Sequence, residues 1–143
     1  MKKIFFIIIF LIFYSCSFGQ EQRIPILYQS FVNQDSTNLY IYTSFSIPYN
    51  TLVFIKDGNA YKSSFTWTTE LKNDKSKIIR EVEKYELSTD NYALTVSADS
   101  FYKGFLRINC DSSNYKISNL IEFGNTNFSY LFGETNLNMK DKL

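Results

Sequence analysis

Residues 46–72 read SIPYNTLVFIKDGNAYKSSFTWTTELK, and they decide the fold class. From Tyr61 onward the chain alternates: Tyr61, Ser63, Phe65, Trp67, Thr69 and Leu71 fall on one side, while Lys62, Ser64, Thr66, Thr68, Glu70 and Lys72 fall on the other. Successive side chains of a strand point to opposite faces, so the odd set packs and the even set meets water. Between LVFIK (52–56) and this strand, Asp57-Gly58-Asn59 supplies a residue at ease with positive φ, which predicts a hairpin.

The same alternation continues on both sides. Toward the N-terminus, LYIYTSFSI (39–47) sets Leu39, Ile41, Thr43, Phe45 and Ile47 on one face and Tyr40, Tyr42, Ser44 and Ser46 on the other. QRIPILYQSFVNQ (22–34) is rich in β-formers and reads as the first strand. Toward the C-terminus, the polar turn NDKS (73–76) leads into KIIREVEKYEL (77–87). Ile78, Ile79, Val82 and Tyr85 could line a helix, but the turn before them and the long strand they would rejoin favour a returning strand. YALTVSA (92–98), YKGFLRINC (102–110) and YKISNLIEF (115–123) are further short β-rich runs at regular intervals. The pattern predicts an all-β, antiparallel, immunoglobulin-like β-sandwich of about seven strands over residues 22–123. Beyond Gly124 the chain becomes Asn-rich and loses its periodicity, so 124–143 is expected to be a polar tail or linker.

Composition narrows the function classes. The 143 residues suit one core, and 45% apolar with 18% aromatic residues suits a packed β-domain. Fifteen basic residues against fourteen acidic ones leave no net field to draw nucleic acid. Histidine is absent, which removes Ser-His-Asp and Cys-His sites and most catalytic zinc sites. No enzymatic activity, cofactor or metal is therefore expected.

The leader MKKIFFIIIFLIFYSCSFGQ joins Lys2 and Lys3 to an apolar run from Ile4 to Tyr14 and a small polar stretch, the layout of a secretory signal. The run is too short to span a bilayer, which takes about 20 residues. Two processing routes compete. Ser17 and Gly19 suit signal-peptidase cleavage before Gln20, giving a 1–19 signal peptide. Alternatively, a lipoprotein signal covers 1–15 and Cys16 carries a lipid anchor, as in the loose lipoprotein signals of Bacteroidota, although Phe13 stands where Leu is usual. Either route exports the chain to the periplasm, the outer membrane or the medium.

Residues 39–123 resemble the N-terminal β-sandwich region of the GWxTD-domain proteins, exported proteins of Bacteroidota and related bacteria. The resemblance rests on SIPYNTLVFIKDGNAYKSSFTWTTELKND and on ISNLIEF (117–123), similar to the strand that closes that region. The Gly-Trp-x-Thr-Asp motif itself is absent, since the single tryptophan sits in Phe65-Thr66-Trp67-Thr68-Thr69. The resemblance implies a cell-envelope β-sandwich and no reaction.

Four groups carry the remaining chemistry. Trp67, with Phe65 and Tyr61, would give a sugar-stacking platform if exposed, but shares its face with Leu71 and suits the core. Tyr40 and Tyr42 with the neighbouring serines offer an adaptable contact face. Glu81, Glu83 and Glu86 are the acids a carboxylate-dependent hydrolase would use, but interleaved Lys77, Arg80 and Lys84 read as a solvated, charge-alternating face. Cys110 has no histidine to activate it and reads as a packing residue. The leading expectation is a non-enzymatic envelope or secreted interaction or structural module whose partner is an envelope protein, with self-association through sheet edges as a further mode. A carbohydrate-binding module that takes a glycan is the alternative, and a hydrolase ranks below both.

Overall fold

The computed structural model describes residues 24–35 and 38–139. The leader and Cys16 lie outside them. Among the described residues nine antiparallel strands form two sheets: β1 (Leu27–Asp35), β2 (Asn38–Pro48), β3 (Ile55–Asp57), β4 (Ala60–Asn73), β5 (Ile78–Thr89), β6 (Phe101–Cys110), β7 (Tyr115–Phe123), β8 (Ser129–Leu131) and β9 (Thr135–Leu137). One sheet runs β1-β2-β6. The other is centred on β4, with β5 along one side and β3 and β7 along the other, and β8 and β9 follow on the far side of β7. The fold is an all-β sandwich, as the alternation predicts.

The hairpin at Asp57–Ala60 forms with Gly58 at φ +61, and the returning strand is β5. On β4 the odd positions from Ser63 to Asn73 are buried and Tyr61 before them is half-exposed, and on β2 the buried set is Ile41, Thr43, Phe45 and Ile47, with Pro48 at the strand's end. Two apolar clusters fill the space between the sheets. One gathers Phe45, Ile47, Phe65, Trp67, Leu106, Ile121 and Phe132; the other gathers Ile41, Leu71, Ile108, Tyr115, Ile117, Leu137 and Met139. Where they meet lies a polar layer set by single positions in three strands: Thr43, Thr69 and Asn119. Ser30 and Thr43 share a hydroxyl hydrogen bond of 2.8 Å, and the Asn119 Oδ1 accepts from Thr69 Oγ1 at 2.7 Å and from Trp67 Nε1 at 3.3 Å. Every member of such a layer has to be satisfied, because an orphaned buried donor costs about 1–3 kcal/mol.

Two expectations need correction. Residues 92–98 do not form a strand: Tyr92–Thr95 make a single helical turn, α1. Asn91 caps it, its Oδ1 accepting from Ala93 N–H at 3.0 Å, and the turn docks where Asn50 N–H donates to the Ser97 carbonyl. The region beyond Gly124 is no tail as far as Met139. β8 and β9 extend the sheet along β7, and Phe132, Leu137 and Met139 enter the core. Leu120 pairs with Leu131 but Ile117 pairs with Thr135, so the register slips by one residue between the two short strands. The extra residue is a β-bulge opposite Asn119, whose carbonyl accepts from Phe132 N–H at 2.8 Å. The bulge turns Phe132 onto Trp67, ring centroids 5.3 Å apart.

Candidate functional site

The register of the three-stranded sheet carries its outer-face residues in rows across strands. Phe31 faces Tyr42, Tyr42 faces Arg107, and Phe105 stands opposite Ser44. Phe31 and Tyr42 stack in parallel with centroids 5.5 Å apart, and Phe105 leans on Tyr42 at 6.2 Å. The Arg107 guanidinium lies 4.9 Å from the Tyr40 ring centre, a cation–π contact. Phe31 is 42% and Phe105 63% exposed, while Tyr40 and Tyr42 are half-buried between their neighbours. The predicted Tyr40/Tyr42 face therefore lies on the outer surface, but its exposed anchors are Phe31 and Phe105. Sequence reading missed both, although each sits at the alternate, outward position of its strand. Trp67 is absent from this surface: at 0% exposure, stacked on Phe45 at 4.3 Å, it is a core residue and offers no face to a ligand.

At the rim of this face the two sheets part. β6 and β5 lie one above the other, and an open cleft of about 690 Å³ separates them. One wall carries Glu81, Glu83 and Tyr85 from β5; the other carries Tyr102 and Phe105 from β6, with Lys103 and Arg107. Glu81 pairs with Thr69 and Glu83 with Trp67, both buried positions of β4, so these acids share the core-facing side of the sheet. The expected solvated face holds only in part: both carboxylates are exposed, but they reach solvent through the cleft, whereas Glu86 stands on the opposite side beside Lys84. The hydroxyl of Tyr85 lies 3.2 Å from the Glu83 carboxylate and 3.2 Å from the Phe105 carbonyl, tying the two walls together. Burial, then the nearby Glu83 charge, raises the Tyr85 phenol well above its usual range; burial and Glu83 raise Tyr102 also.

The cleft holds hydroxyls, carboxylates and aromatic edges but a poor acid–base pair. Glu81 and Glu83 stand side by side on one strand, whereas glycoside cleavage needs carboxyls on both sides of the bond. Cys110 lies away from the cleft at the end of β6, where burial, then Asp111, pushes its thiol up to about 11, which makes it a weak nucleophile. Asp57, in the hairpin, pairs with Lys62. Among the described residues no group of three or more Cys, Asp or Glu is placed to hold a metal ion.

No family model matches the chain, and no curated protein matches it. Among solved structures, the X-ray structure of the Northeast Structural Genomics Consortium target SoR45 is similar over 87% of this chain and 93% of its own, with a TM-score of 0.49 and 7% identity.

Proposed function

We propose that the protein is a non-enzymatic interaction module that meets its partner through the outer face of the three-stranded sheet and the adjoining cleft. One observation carries this reading: Phe31, Tyr42 and Phe105 form a contiguous aromatic row on a rigid sheet, with two of the three rings exposed. Aromatic anchors on a firm backbone bury large area at low entropic cost, which is how interfaces concentrate their energy. The signal-like leader supports a module of the cell envelope or the medium, either free from Gln20 or anchored through Cys16, in line with the resemblance to the front of the GWxTD-domain proteins.

Capture from envelope extracts tests this reading. The wild-type protein enriches a discrete partner, and a Phe31→Ser, Phe105→Ser variant of unchanged thermal stability does not. Equal enrichment by both would refute it.

Carbohydrate binding is the second reading. It is favoured by the exposed Phe105 ring beside a cleft that carries Tyr85, Tyr102, Glu81 and Glu83. It is weakened by the covering of the other ring faces, since Phe31 and Tyr42 stack on each other and Arg107 covers Tyr40. Titration calorimetry across a glycan panel distinguishes the two readings; Trp67 fluorescence is a poor probe here because the ring is buried.

A further inference from the structure

Both strands that bound the cleft leave an edge unpaired among the described residues. β5 offers the longer one, 12 residues from Ile78 to Thr89. Its inward residues are Ile79, Glu81, Glu83, Tyr85 and Leu87, of which Glu81, Glu83 and Tyr85 line the cleft, so two carboxylates interrupt an apolar run. On the other face of the sheet Glu70 pairs with Arg80 and Glu86 with Lys84, while among the described residues Glu122 stands alone on β7, away from the β5 edge. Among the described residues Glu81 and Glu83 have no ion-pair partner, and Glu83 has only the Tyr85 hydroxyl. Of the cations on the opposite wall, Arg107 is engaged over Tyr40, and Lys103 shares the far wall.

We propose that this cleft takes an extended peptide segment with Lys or Arg at alternate positions, added as a strand along β5. The proposal rests on the preceding reading and names the partner's chemistry. Residues two apart in a strand point to one face about 6.6–7 Å apart. Glu81 and Glu83 share that spacing, so a Lys-x-Lys segment sets both cations against both carboxylates. The Tyr85 and Tyr102 rings beside them give a cation an aromatic surface. The intervening residue turns outward beside Val82, which is 54% exposed and begins an apolar row through Thr68 and Leu120 to Leu131. A β-branched apolar residue fits there.

A second copy fits poorly. Facing residues in an antiparallel pair share a side, so a two-fold β5 pair must be centred on a residue. Centring on Glu81 or Glu83 sets that acid against itself, centring on Val82 sets Glu81 against Glu83, and centring on Lys84 sets lysine against lysine; centring on Tyr85 pairs Lys84 with Glu86 but leaves Glu81 and Glu83 facing Thr89 and Leu87, still unneutralised. Charges pointing inward at an edge block indiscriminate strand addition. Here the block is selective: an apolar strand would bury two unpaired carboxylates, and a strand with alternate cations neutralises them.

The test uses the purified protein and three fluorescent peptides read by anisotropy: STTKVKTTS, STTKKVTTS with the same charge in the wrong phase, and STTEVETTS. STTKVKTTS binds about tenfold more tightly than STTKKVTTS, and a Glu81→Gln, Glu83→Gln variant of unchanged melting temperature loses that advantage. Binding also slows amide exchange along β5. Equal binding of the two lysine peptides, binding insensitive to the double variant, or no binding of STTKVKTTS overturns the proposal. A glycan, or a second copy of the chain, that protects β5 where the peptide does not overturns it in favour of that occupant. If the peptides fail while the Phe31/Phe105-dependent capture succeeds, this inference falls and the interaction-module reading stands.

Discussion

Asn119→Ala probes the polar layer that joins the two halves of the core. Asn119 is 2% exposed, and its Oδ1 accepts from Thr69 Oγ1 at 2.7 Å and Trp67 Nε1 at 3.3 Å. Truncation strands the Thr69 hydroxyl proton, but Trp67 Nε1 keeps Thr69 Oγ1 at 3.2 Å. One buried donor is orphaned, at about 1–3 kcal/mol, and the vacated amide volume adds about 1 kcal/mol, for a total of about 2–4 kcal/mol. Thr69→Val leaves Trp67 Nε1 with Asn119 and so loses only about 0.5–1.5 kcal/mol. The double variant has no stranded hydroxyl but leaves Trp67 Nε1 with neither acceptor, so one buried donor is again orphaned and the loss stays at about 2–4 kcal/mol or more. Urea unfolding followed by Trp67, the single tryptophan, measures all three, and a melting point lower by roughly 4 °C per kcal/mol gives a second readout. An Asn119→Ala loss below about 0.5 kcal/mol, or a double variant that recovers the loss of Asn119→Ala, would refute the network.

Three further outcomes are expected. Gly104→Ala lowers stability by about 1–3 kcal/mol in a thermal melt, because a Cβ there would stand 2.6 Å from the Phe45 ring, itself fixed against Trp67. Hydrogen bonds from Ser113 and Tyr115 hold the Asp111 carboxyl down to about 2, below its ordinary 3.8. Because its folded value is depressed, its contribution is complete above pH 4 and fades as the pH falls toward 2; the stability gap between wild type and Asp111→Asn, measured across that window, closes with it. Glu81→Val with Glu83→Val removes the inward charges from the β5 edge, and sedimentation then shows self-association that the wild type lacks at the same concentration.

Most of the sandwich is legible in the sequence because its central strands are long and buried on one face, so β2 and β4 declare their faces by alternation alone. Where elements are short the signal fails. The four residues of α1 carry no period, and β-formers such as Thr95 and Val96 read as a strand until the Asn91 cap decides otherwise. β8 and β9 hold three residues each, and the bulge between them breaks the only alternation that could have marked them. Leu137 and Met139, apolar residues in an Asn-rich stretch, were the available hint. The candidate site was half legible. Tyr40 and Tyr42 mark its sheet, but Phe31 and Phe105 join them only through cross-strand register, which no single strand reveals. β5 misleads for a related reason. Its apolar residues fall on both faces, with Ile78 and Val82 on one and Ile79 and Leu87 on the other, so only pairing with β4 shows that Glu81 and Glu83 point toward the cleft.

The central claim is that a partner sits on the aromatic row beside the cleft, and site-specific photo-crosslinking in the native host tests it most directly. One variant carries a photoreactive residue at Phe105, and another carries it at Thr66, on the outer face of the opposite sheet. A discrete adduct from position 105 and none from position 66 is the predicted result; no adduct at 105, or the same adducts from both positions, would contradict it.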